Sequence, residues 1–114
     1  MADQTQRIEE IIKRTRIAFI ADTTNKMEQI RSCFQQWEEA QVSQENLIDM
    51  THRYVHSIKG LALTLQYPQI HNACEQVLAI ILQQESHVWT ISDINLLQKL
   101  VDDLQVSVKT SFAS

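Results

Sequence analysis

Apolar residues recur along the chain at helical spacing. The sharpest run is Ile94, Leu97, Val101, Leu104 and Val108, at steps of 3, 4, 3 and 4 residues, the spacing of a bundle seam. A second stripe starts at Leu47/Ile48 and continues through Thr51, Val55, Ile58, Ala62 and Leu65. It predicts a helix over about Gln44–Leu65. A third predicts a helix over about Pro68–Gln84 that buries Ile70, Cys74, Val77 and Ile81, with Ala73, Leu78 and Leu82 beside them. The first segment, about Gln4–Ala40, carries two stripes. Ile8, Ile12, Thr15 and Phe19 form one, joined by Ile11; Met27, Ile30, Phe34 and Trp37 form the other, with Cys33 alongside. Between them Asp22-Thr23-Thr24-Asn25 is rich in cap-forming residues, and Asn25 with Glu28 makes a weak capping box. The segment is one long helix or two helices with a kink. Because the stripe phase continues across the gap, a continuous or mildly bent helix is favoured.

The interruptions fit the same scheme. Gln41-Val42-Ser43-Gln44 is a connection, with Ser43 and Asn46, or Gln44 and Leu47, marking a helix start. Gln66-Tyr67-Pro68 ends one helix and opens the next, because proline is tolerated at a helix's first position but not inside it. Glu85-Ser86-His87-Val88-Trp89 is the next loop, and Thr90 or Ser92 caps the last helix with Asp93 in its first turn. Short connections make consecutive helices antiparallel neighbours. The expected fold is all-α, an antiparallel four-helix bundle with an N-terminal helical extension.

Composition narrows the function. The chain has 114 residues, enough for one modest core, and residues 1–114 read as one domain. Met1 reads as a true start, while residues 109–114 carry no terminating signal, so the domain is either free-standing or the first part of a larger signalling protein. One glycine and one proline leave no material for strand-bounding turns. A net charge of −4 argues against a nucleic-acid partner. No apolar run reaches the ~20 residues of a membrane span, and the polar start has no signal-peptide core. Cys33 and Cys74 lie on apolar stripes and read as reduced core thiols of a cytoplasmic protein rather than a redox pair.

Gly60 is the one glycine, and it falls in the middle of the second predicted helix, where glycine costs about 1 kcal/mol relative to alanine. A helix end or a close helix–helix contact are the structural explanations. The other is access. At roughly 100° per residue, His56 points about 140° from the core stripe, Gly60 lies nearly opposite the stripe one turn on, and Lys59 shares the side of His56. An exposed imidazole thus has a cation beside it and bare backbone next to it.

His56-Ser57-Ile58-Lys59-Gly60 resembles the phosphorylation motif of histidine-containing phosphotransfer (HPt) domains, in the version found in chemotaxis-type histidine kinases. The resemblance covers about residues 54–78 at motif level and the whole chain at the level of helix pattern. It implies a phosphorelay carrier whose His56 accepts and donates a phosphoryl group through Nε2, exchanging it with an aspartate of a receiver domain or receiving it from a histidine kinase. Lys59 would offset phosphoryl charge and Gly60 would keep the approach clear. It also implies that Glu75 orients the imidazole, with Gln76 and Asn72 as alternatives. The chain departs from the family at Leu61, where a small residue is common, at Gln66, where a turn glycine is usual, and at Leu78, where a carboxylate is usual. These departures keep open a non-catalytic module that docks receivers or dimerises without carrying phosphate. Leu61 and Leu63 belong either to the docking surface or to a partly buried flank.

Other chemistries have less support. His52 and His56 stand at i, i+4, a spacing that can hold zinc, but the Glu of an HExxH motif is missing and only Asp49-x-x-His52 approaches a di-iron pattern. No metal ligand is therefore assigned, and His52, His71 and His87 read as solvated. Neither Gly-x-Ser-x-Gly nor a glycine-rich phosphate loop is possible with one glycine. The chain is accordingly not a self-sufficient kinase. It needs no cofactor of its own, with Mg²⁺ expected on the partner receiver, and a monomer is favoured.

Overall fold

The computed structural model describes residues 2–84 and 88–113. It contains four helices, α1 (Ala2–Glu38), α2 (Gln44–Ala62), α3 (Pro68–Gln83) and α4 (Ile91–Phe112). Each helix packs on its neighbours in chain order and α4 returns to α1, which closes the four-helix bundle. The α1–α4 seam is the least extensive of the four. His87 and most of the loop before Val88 lie outside the described residues.

Start signals predicted from sequence operate as side-chain caps. Ser43 Oγ accepts from the Asn46 backbone N–H at 3.1 Å and opens α2. Thr90, rather than Ser92, opens α4: its side chain accepts from the Asp93 N–H, and Asp93 Oδ2 accepts from the Thr90 N–H at 2.8 Å, a reciprocal capping box. Pro68 occupies the first turn of α3.

The helix ends need left-handed backbone instead. After α1, the Gln41 N–H donates to Gln36 C=O and Ala40 takes φ 58°; after α2, the Tyr67 N–H donates to Ala62 C=O and Gln66 takes φ 68°. Both closures resemble the Schellman turn, whose left-handed position is usually glycine. Here an alanine and a glutamine fill it.

The core follows the stripes. Leu47, Thr51, Val55, Ile58 and Ala62 of α2 are buried, as are Ile70, Cys74, Val77, Ile80 and Ile81 of α3 and Ile94, Leu97, Val101, Leu104 and Val108 of α4. Leu82, expected beside the α3 core, is 69% exposed. It sits in the last turn of α3, about 100° around the helix from buried Ile81.

α1 is one continuous helix, and Asp22-Thr23-Thr24-Asn25 does not break it. Thr23 is fully buried, so the position read as part of a polar gap is a core position of the same stripe as Phe19 and Met27. The first stripe, by contrast, is only half used. Phe19 stacks on Tyr67 at 5.6 Å and meets Phe112 edge-on at 6.1 Å, forming an aromatic plug at the end of the bundle. Beyond it every residue from 4 to 14 is exposed, including Ile8, Ile11 and Ile12. This projection of α1 lengthens the molecule to 58 Å against 25 and 21 Å across.

Candidate functional site

The buried stripe of α2 fixes the rotation of that helix and hence what faces solvent. Val55 and Ile58 are 0% and 1% exposed, while His56, Ser57 and Gly60 between and beyond them are exposed. His56 therefore stands on the outer face, held by backbone rather than by packing. Its ring lies edge-on to that of His52 one turn earlier, with centroids 6.2 Å apart.

Two cations flank this face from opposite seams. Lys59 is half-buried toward α3, close enough to Cys74 for its ammonium to act on the thiol. Burial pushes the Cys74 thiol up to about 12, and Lys59 opposes that rise in part. Cys33 is also raised by burial, so both thiols stay protonated and inert. On the other seam Lys26 of α1 reaches across to α2, donating to Ser57 Oγ at 2.9 Å while paired with Asp22 Oδ2 at 2.5 Å. One turn further along α1, Gln29 Oε1 accepts from the Tyr54 hydroxyl at 2.7 Å. These contacts pin the α1–α2 seam beside the His56 face. Sequence reasoning missed Lys26, because nothing local marks a lysine that meets a serine 31 positions away.

Gly60 answers the question its position raised. It is not a helix end, since α2 runs to Ala62, and its φ is not positive. It is not a close helix contact either: a Cβ built there would meet no atom within 4 Å. Nothing inside the molecule requires glycine at this position. The open space lies on the outer face, one turn from His56.

The remaining candidates divide. Leu61 and Leu63 are 47% and 57% exposed, so both present apolar surface on the last turn of α2 rather than being packed away. Leu78 packs against the core. Glu75 is drawn to its own helix: Oε1 lies 3.3 Å from His71 Nε2. Among the described residues it makes no hydrogen bond to His56. His71 is correspondingly not the freely solvated residue read from the sequence; its side chain is 16% exposed and has this carboxylate as partner. His52 stays exposed. Among the described residues no three of His, Cys, Asp and Glu converge as a metal site, and no helix is long and apolar enough to cross a membrane.

No curated protein and no solved structure matches the chain. The family comparison does: the Hpt domain matches residues 14–107, which spans all four helices and leaves out the projecting start of α1. The chain therefore belongs to the Hpt domain family, whose role is phosphotransfer in phosphorelays and whose members generally interact with receiver domains or kinases.

Proposed function

We propose that this protein is a phosphorelay carrier that holds the phosphoryl group on His56. The observation that carries the reading is Gly60, a mid-helix glycine that no internal contact requires, lying next to an exposed imidazole. Phosphoryl transfer depends chiefly on positioning and charge stabilisation, and a carrier with no phosphate-binding loop obtains most of both from its partner. The chain has to offer a neutral nitrogen that a partner's active site can reach. In the transfer from a receiver, the Nε2 lone pair of His56 attacks the phosphorus of the aspartyl phosphate. The N–P bond forms, the P–O bond to aspartate breaks, and the aspartate carboxylate leaves with the bonding pair. The Nδ1 proton stays on the ring. The reverse step returns the group.

Lys59, one turn on from His56 along α2, supplies a cation for the phosphoryl oxygens. Gly60 keeps the backbone low enough for the partner to seat, and Leu61 and Leu63 offer apolar contact beside it. Lys26, paired with Asp22 on the α1 flank, holds Ser57 next to His56. Mg²⁺ belongs to that partner. Glu75, held by His71, acts on the imidazole only if docking frees it.

Incubation with a phosphorylated receiver, or with a histidine kinase and ATP, should give an acid-labile label that is lost in His56→Gln. Label that persists in His56→Gln would overturn the assignment. Receiver binding with no label under either donor would reduce the protein to a docking module.

A further inference from the structure

His52 and His56 stand one turn apart on the outer face of α2, and both are exposed. Their rings lie edge-on, with centroids 6.2 Å apart and planes at 60°. Among the described residues neither ring has a hydrogen bond or an ion pair, so each can turn about its side-chain torsions without breaking one. Two imidazoles bound to one zinc ion at about 2.0–2.1 Å and a tetrahedral angle keep their centroids about 5 Å apart. A closure of about 1 Å from the observed 6.2 Å brings the pair to that geometry. The i, i+4 spacing that sets the two rings side by side is fixed by the helix. The glutamate that an HExxH motif would place between them is a general base and not a ligand. Its absence removes hydrolytic chemistry and leaves binding.

The surroundings decide the class of ion. The charged residues of α2 are Glu45, Asp49, Arg53 and Lys59. Asp49 and Arg53 pair with each other at 3.1 Å. Glu45 lies seven residues before His52, about 10 Å along the helix axis. Lys59, three residues past His56, adds a positive charge that weakens cation binding. The pair is thus two nitrogen donors with water for the remaining ligands. That set suits zinc, nickel and copper(II), whereas magnesium and calcium take oxygen ligands. The chain's softer donors do not compete, because Cys33 and Cys74 are buried, and His71 faces its own Glu75 at 3.3 Å.

We propose that His52 and His56 form a two-histidine site for a divalent transition metal of the zinc class, and that this ion and the phosphoryl group compete for His56. The competition rests on the phosphorelay reading of His56; the site itself does not. Each neutral imidazole gives its Nε2 lone pair to the ion as a bound water leaves, with no electron transferred. His56 then has no lone pair with which to attack phosphorus, and an N–P bond at Nε2 removes one of the two ligands in turn. Two protein ligands are half the number in a structural zinc site, so binding is weak and reversible.

Titration of the full chain with Zn²⁺, read by the histidine ring resonances, tests the site. The His52 and His56 signals should move together and saturate at one ion per chain, with His71 little changed, and Mg²⁺ should move neither. His52→Gln and His56→Gln should each weaken binding at least about tenfold, since either removes half of the protein ligands. Labelling by phosphoramidate, a small phosphodonor that needs no receiver, tests the competition. At ten times the dissociation constant Zn²⁺ should slow labelling of the wild type about tenfold, and of His52→Gln about twofold or less. No saturable shift, movement of His71 in place of His56, or wild-type affinity in His52→Gln overturns the site. Zn²⁺ bound on the pair with labelling undiminished overturns the competition. A chain that binds Zn²⁺ on the pair yet takes no label from any donor overturns the phosphorelay reading instead and leaves the metal site standing.

Discussion

Gly60 and Gln66 stand six positions apart and each has the backbone that would suit the other. Gly60 is in regular helix, where glycine costs about 1 kcal/mol relative to alanine. Gln66 is in the left-handed turn after α2, at φ 68°, where a side chain other than glycine is strained by roughly 1–2 kcal/mol. Folding alone would exchange them. The turn tolerates its cost because Tyr67 closes onto Ala62 and the aromatic plug packs over it. The glycine in the helix gains nothing inside the molecule, since the space beside it is empty. A stability cost with no internal return, next to an exposed histidine, is what the proposed role of this face as a partner's docking surface would require. The cost at Gln66 is local wear in a turn; the cost at Gly60 points outward.

The largest effect that separates the two sites is on transfer. Gly60→Gln places a long side chain in the open space beside His56. We expect the bundle to fold normally and phosphotransfer with a receiver to fall about 10²-fold, the scale on which a small misplacement of reacting groups acts. Any substitution at Gln66 should leave that rate within about twofold. Stopped-flow or gel-based transfer rates on both variants give the comparison; equal rates for Gly60→Gln and wild type would show that no partner approaches over this backbone.

Lys59→Ala is the next test. The side chain lies off the core stripe, half-buried along the α2–α3 seam, so the melting temperature should change little. A single charge-assisted contact is worth about 1.5 kcal/mol, or roughly tenfold in rate. Transfer should slow by about that factor. Lys59→Arg should recover part of it.

How much of this was legible in the sequence depends on whether the signal was local. Helix starts at Ser43 and Thr90 were readable because a cap is made within three residues, and the start at Pro68 because proline is tolerated only in a helix's first turn. The faces of α2, α3 and α4 were readable because spacing sets them. What covers a face is not encoded in spacing. Ile8, Ile11 and Ile12 have the periodicity of a core stripe and sit past the end of the core. Thr23 looked like part of a break and is buried, because one polar hydroxyl does not stop a helix whose stripe continues on both sides. Glu75 shows the same limit. Its helix could be read from the sequence, but its pairing with His71 on that helix depends on side-chain reach. The outward placement of His56 and Gly60 followed from the buried stripe alone; the Lys26–Ser57 bridge could not.

The smallest expected effects are the reciprocal ones, and they test the reasoning most directly. Gly60→Ala should stabilise the protein by about 0.5–1 kcal/mol, because it removes the helix cost and the new Cβ meets nothing. Gln66→Gly should also stabilise it, by about 0.5–1 kcal/mol. It relieves the left-handed strain but gives up the exposed Arg16–Gln66 hydrogen bond, worth about 0.5 kcal/mol. Each should raise the melting temperature by about 2–4 °C. A Cβ at Gly60 meets no neighbour and the Gln66 side chain bonds Arg16, so the double variant should show the sum. If Gly60→Ala lowers stability, the residue has a structural role inside the bundle and the outward reading of the glycine fails. If both changes stabilise and only Gly60→Ala slows transfer, the cost at Gly60 is one that function maintains and folding does not.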